Sequence, residues 1–265
     1  MTTIGDIISF TESRFPLQNA AEWDRPGMAL GSASQSVKKV LLSVDVTPEV
    51  VKEASEISAQ LIISHHPPFL RGVYSLDESS LKGAIVADAI RSGVGIYAAH
   101  TNADFATAGV SETLGKLLGL ENFRALTHDG EGLIGDLPPT SLLDYARAVA
   151  KLLPSTAQGI LVQGAPERII RTVGLVAGAG DSYLDSAASA GLDLFITSDL
   201  RHHPSSDFRD QSVVSEGPAL MSIPHFAAEW PWLEVFANEL RGVFSSVEFV
   251  VSEINTDPWT FAVMQ

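Results

Sequence analysis

The chain has 265 residues, 45% of them apolar, with 32 acidic against 17 basic side chains, 7 histidines and no cysteine. This length can bury a substantial core and is expected to divide into two packed lobes, while a net charge of −15 with no Lys/Arg stripe sets nucleic acid aside as the principal partner. Without cysteine there is no disulfide, thiolate nucleophile or iron–sulfur centre, so any metal must sit on imidazole and carboxylate.

The first residues lack the basic-then-apolar pattern of a leader, and no apolar stretch approaches the ~20 residues that span a bilayer. A cytoplasmic protein is expected. Ile4, Ile7, Ile8 and Phe15 have helical spacing after a Thr cap, and 21–31 reads as a loop entering a short strand. Val40–Val44 is a buried-strand pattern, Thr47-Pro48-Glu49 opens a helix, and Leu61–Ser64 is the next strand, which runs into His65-His66-Pro67. Val94–Ala99 is a further strand, followed by His100-Thr101-Asn102-Ala103-Asp104. Turn residues at 127–132, with Leu137-Pro138-Pro139 after them, mark a boundary.

The pattern then recurs: Val173–Ala177 as strand, 181–190 as helix, and Asp193–Thr197 as strand leading to Asp199 and His202-His203-Pro204. Two such modules suggest an internal repeat. A helix starting at or just after Pro224 places His225 and Glu229 on one face, and Val247–Val251 is a last strand. Strands alternating with helices imply an α/β fold with helices on mixed, largely parallel sheets, and the repeat and turn signals divide the chain at 1–126, 127–215 and 216–265.

Six of the seven histidines lie in these islands, at the carboxyl ends of strands or the start of a helix, where α/β proteins build ligand sites. Side chains of neighbouring residues diverge on an extended segment, so His65 and His66 suit two metals side by side better than one. With Asp104, His225 and Glu229, whose carboxylate can bridge, they make a coherent dinuclear set for Zn, Fe, Mn or Ni. No Gly-x-Ser-x-Gly elbow or phosphate-binding loop competes, and Gly178-Ala179-Gly180-Asp181 is an incomplete dinucleotide motif, read as a tight strand-to-helix turn. Trp230 and Trp232 read as core or subunit-contact residues.

Trp23-Asp24 with Gly27 and Gly31, Ser64-His65-His66-Pro67, His100-Thr101-Asn102-Ala103-Asp104, Asp199-Leu200-Arg201-His202-His203, and His225 with Glu229 occur in the order seen in one family. In these motifs the chain resembles the Nif-three-like dinuclear metal centre family, in its short form without an inserted domain; many bacterial members are named type-two GTP cyclohydrolase I homologues. The resemblance implies two similar α/β lobes with a metal site in the cleft between them, a C-terminal segment, 216–265, returning to the first lobe, and a ring-like homohexamer. It also implies two divalent cations per subunit: His66 and Asp104 on one, His65 and His225 on the other, Glu229 bridging. Asp45, His100, Asp199, His202 and His203 would line the pocket, with His100, His202 or His203 as catalytic proton shuttle. The implied activity is hydrolytic opening of the imidazole ring of a nucleotide substrate such as GTP; a non-enzymatic metal-binding or regulatory assembly is the alternative. Pro224, Ala228 and Ser198 depart from the family pattern, and Arg71, Arg124 and Arg201 are candidate anion contacts.

Overall fold

The structure is a computed structural model that describes residues 1–263. It contains two compact units, Met1–Ala106 with Trp232–Thr256, and Thr107–Pro231 with the residues from Asp257 on. In the first unit Thr3 caps helix α1 (Ile4–Arg14): its hydroxyl accepts from the Asp6 N–H at 3.2 Å while the Asp6 carboxylate accepts from the Thr3 N–H at 2.8 Å. This reciprocal box satisfies two N–H groups that a helix start leaves open. Strands β1 (Gly27–Leu30), β2 (Lys39–Ser43), β3 (Leu61–Ser64) and β4 (Gly95–Ala98) follow, with α2 (Pro48–Glu56) and α3 (Leu81–Arg91) as crossovers, capped by Thr47 and Ser80. β2, β3 and β4 are parallel, β1 is antiparallel on β4, and β3 and β4 are buried along their whole length. Leu41, Val50, Ala54, Ile62, Ile85 and Ile96 form the core beneath the crossover helices. Since β3 and β4 are adjacent and parallel, with Ser64 level with Ala98, the residues that follow them emerge side by side. The short helix α4 (Thr101–Asp104) begins there.

The second unit contains α5 (Val110–Leu117), β5 (Glu121–Ala125), β6 (Leu133–Ser141), α6 (Leu142–Leu152), β7 (Leu161–Gln163), β8 (Ile169–Ala179), α7 (Leu184–Ser189), β9 (Leu194–Ser198), α8 (His202–Ser215) and β10 (Ala219–Ser222). Its sheet runs β5-β6-β8-β9-β10-β7, with β8, β9 and β10 parallel and antiparallel strands on either side. The turn at 127–132 joins the antiparallel β5–β6 hairpin, so the boundary expected there lies inside this unit. The segment expected to return from 216 likewise first adds β10 beside β9. Turn residues signal a change of direction, and a hairpin supplies that as well as a linker does.

Helix α9 (His225–Val243) starts in the second unit, and from Trp232 its residues belong to the first. Pro231 sits at the division, where it removes one intrahelical donor. Trp232 is buried, stacked on Phe236 at 5.3 Å with Phe15 at 5.7 Å, as expected of a core residue. Strand β11 (Glu248–Val251) then joins β2 in parallel, completing the order β1-β4-β3-β2-β11. Among the described residues no helix is long and apolar enough to cross a membrane.

Candidate metal centre

At the carboxyl end of β3, His65 is 1% exposed and its Nδ1 lies 2.9 Å from the Ala99 carbonyl. A carbonyl only accepts, so Nδ1 carries the proton and Nε2 holds the lone pair. Nε2 in turn lies 3.3 Å from Asp104 Oδ1. His66 repeats the arrangement: Nδ1 lies 2.8 Å from Asp45 Oδ1, and the Thr256 hydroxyl donates to the other oxygen of Asp45. His100 does so too, with Nδ1 2.8 Å from Asp24 Oδ1. Asp24 Oδ2 accepts from the Thr101 N–H at 3.1 Å and its hydroxyl at 2.5 Å, and Oδ1 accepts from the Arg25 N–H at 2.7 Å. Burial opposes the Asp24 charge, but hydrogen bonds from His100 and Thr101 outweigh it and hold the carboxyl well below the usual carboxylate range.

His65, His66 and His100 each offer a ring nitrogen within 4.8 Å of the other two. The rings of His65 and His66 are 4.9 Å apart and inclined by 40°, closer than divergence along a strand allows. The reason is that β3 ends at Ser64 and the chain bends at the two histidines, which releases the alternation of faces. His100, expected only as a shuttle, thus joins a possible ligand group.

In the second unit His225 opens α9 and Glu229 follows one turn later, with Nε2 2.8 Å from Glu229 Oε1 and Nδ1 2.6 Å from Asp199 Oδ2. Asp199 directly follows β9 in the left-handed region, φ 54°, which Asp tolerates better than most residues. Gly178 at the end of β8 has φ +78°, and a Cβ there would lie 2.6 Å from Glu229 Oε1 and 3.3 Å from His225 Nε2. The glycine therefore serves both the turn and the close approach of the backbone to the His–Glu pair. Burial works against a charged His225, yet Glu229 and Asp199 together prevail and push it up to about 11. Positive charge is thus favoured where the two carboxylates meet the ring, the demand a cation also meets.

The donor set fits hard-to-borderline divalent cations. Four imidazoles each have Nδ1 held by an acceptor: Ala99 carbonyl, Asp45, Asp24 and Asp199. Such outer partners fix ring orientation and the basicity of Nε2 in metal-binding histidines.

The remaining sites are placed differently. His202 and His203 lie exposed at the start of α8, their rings 5.2 Å apart. His202 lines a cavity of about 530 Å³ shared with Asp199 and His225, whereas His203 is not part of its lining. Arg124 and Arg201 are engaged by Asp136 and Asp181 at the surface. Pro224 accepts the Ala228 N–H at 3.0 Å through its carbonyl, so the helix carrying His225 and Glu229 begins in register despite the departure from the family pattern.

The family described as Duf34/NIF3 (NGG1p interacting factor 3) matches residues 2–258. The chain belongs to the Duf34/NIF3 family. A Streptomyces coelicolor protein named GTP cyclohydrolase 1 type 2 homolog is 38% identical over 273 residues, covering 98% of this chain and 94% of that protein. A Clostridium perfringens protein of the same name is 30% identical, covering 97% and 99%. Among solved structures, a Bacillus cereus protein related to NIF3 superposes with a TM-score of 0.88 at 22% identity over 98% of this chain and 99% of that one, a likeness of fold. A Staphylococcus aureus hypothetical protein does so with 0.88 at 25%, over 98% and 99%. Within this Duf34/NIF3 chain, Gly178 was read from the sequence only as part of a tight turn, and its close approach to Glu229 and His225 is what the structure adds.

Proposed function

We propose that the protein is a divalent-metal-dependent hydrolase that opens the imidazole ring of a purine compound, with His65, His66, Asp104, His225 and Glu229 as the ligands of two cations. The observation that carries this reading is the shared orientation of four histidines, each with Nδ1 held by an acceptor, which turns Nε2 of His65 toward Asp104 and Nε2 of His225 toward Glu229. The relatives' name, GTP cyclohydrolase 1 type 2 homolog, supplies the class of reaction. When bound, the cations supply a water acidified from ~16 toward ~7 and neutralise charge that builds on the substrate.

The chain's own residues do the rest. Addition of a first water at C8 breaks one C–N bond and leaves a formamide, and a second water cleaves the remaining C–N bond to release formate; each addition requires a proton to leave the water and a proton to reach the departing ring nitrogen. His100, held by Asp24, takes and returns such a proton. Asp45 and Asp199 hold His66 and His225 in place. The working form is a homo-oligomer, a hexamer by resemblance.

Formate release from GTP by protein of measured metal content tests the proposal. Glu229→Ala is expected to lose metal and turnover together, whereas His100→Ala keeps its metal and loses turnover by roughly a hundredfold or more. Full metal occupancy with no turnover on any purine would contradict the hydrolase reading and leave a metal-binding assembly.

A further inference from the structure

The cavity beside His225 lies wholly within the second unit, between the β7–β10 edge of its sheet, the first two turns of α8 and the segment from Asp257. Its volume, about 530 Å³, is in the range of small-molecule sites. The buried Leu220 and Ile223 give it an apolar floor, and the exposed Leu161 and the indole of Trp259, 65% exposed, lie at its rim. Gln163 also lines it, and its Oε1 is buried without a hydrogen-bond donor among the described residues. A buried acceptor of this kind is satisfied when a bound molecule brings an N–H to it.

The charges around the cavity matter as much as its shape. Arg209 is its one Arg or Lys, and its guanidinium is already taken by Asp210, at 2.9 and 2.8 Å. Asp199 and Asp257 are also in the lining, and the chain as a whole carries −15. The His225 ring is held between Asp199 and Glu229, so away from it the lining meets a polyphosphate with carboxylates and no unengaged Arg or Lys.

We infer that this cavity binds an uncharged, flat, N–H-bearing heterocycle, a purine nucleoside or free base, and discriminates against the nucleoside triphosphate. The ring lies against Trp259 over the apolar floor and gives an N–H to Gln163, which sets it beside His225. This rests on the hydrolase reading for its choice of purine, but the binding itself requires only the second unit's own residues.

Calorimetric titration of the full chain with guanosine and with GTP, at low and at high salt, tests the inference. Guanosine is expected to bind at least about tenfold more tightly than GTP at low salt, with the gap narrowing as salt screens the acidic lining. Trp259→Ala should weaken guanosine by roughly tenfold with metal content unchanged, since base–aromatic stacking is lost. Asp257→Asn should favour GTP selectively. GTP binding as tight as guanosine, or a Trp259→Ala variant with unaltered affinity, overturns the inference even if GTP is hydrolysed, in which case the hydrolase reading survives. Guanosine binding that persists in Glu229→Ala supports the cavity, and if the metal-loaded wild type turns over no purine the hydrolase reading is rejected while the cavity stands.

Discussion

The site is organised residue by residue through the atom each histidine has already committed. Asp45 fixes His66 through Nδ1. Replacing it by Asn removes the charge that raises the ring's basicity while preserving shape. Metal affinity should fall about tenfold to a hundredfold, measured by competition with a chelating dye, and an unchanged affinity would remove Asp45 from the account. Gly178→Ala places a methyl 2.6 Å from Glu229 Oε1 at a φ of +78°. It should cost about 1–3 kcal/mol of stability and displace the His–Glu pair, seen as a lower melting temperature with reduced metal content; a melting temperature equal to wild type would show that the backbone yields there. At this scale much was legible in the sequence. His65, His66, His100, His225 and Glu229 announce themselves by residue type and position after strands. The carbonyl of Ala99 and the space at Gly178 do not, because neither has a side chain to signal it. Asp24 was visible only as part of a motif, since its partner His100 lies 76 residues away.

At the scale of elements, local chemistry and tertiary context divide the credit. The α1 cap, Pro48 at the start of α2 and the strands β2, β3, β4 and β9 follow from patterns a few residues long, and so were readable. The β5–β6 hairpin was not, because β5 is exposed at nearly every position and its turn looks like any polar linker. Helix α8 was hidden for a related reason: only Phe208 among its residues is buried, so it lacks an apolar stripe to read. The second His-His pair accordingly starts a helix, whereas the first ends a strand, and the apparent repeat differs where the chemistry sits. In α3, propensity and packing oppose each other. Gly83→Ala should gain about 1 kcal/mol from helix propensity. The added Cβ would nevertheless meet the Asp77 carbonyl oxygen at 2.0 Å, so packing decides the sign. A net loss of about 1–3 kcal/mol in denaturant unfolding is expected, and net stabilisation would contradict the close packing of the Leu76–Asp77 backbone on α3.

For the whole molecule, acidity and metal binding belong together. A chain of −15 that sets Asp24, Asp45 and Asp104 against histidines in the first unit, and Asp199 and Glu229 against His225 in the second, carries like charges that cations relieve. Binding confined to the folded state stabilises it by about 2.7 kcal/mol at a free metal concentration of 100 times Kd. Removing metal with a chelator should therefore lower the melting temperature, and adding it back should restore the value; indifference to both would mean that the clusters hold no cation.

The measurement that bears most directly on the central claim is the metal content per chain of the purified protein, by elemental analysis, for wild type and for Glu229→Ala. The account predicts about two transition-metal ions per wild-type chain and a clear loss in the variant. A folded wild type that takes up no metal when supplied with Zn, Fe, Mn or Ni, or a Glu229→Ala variant with undiminished content, would contradict it.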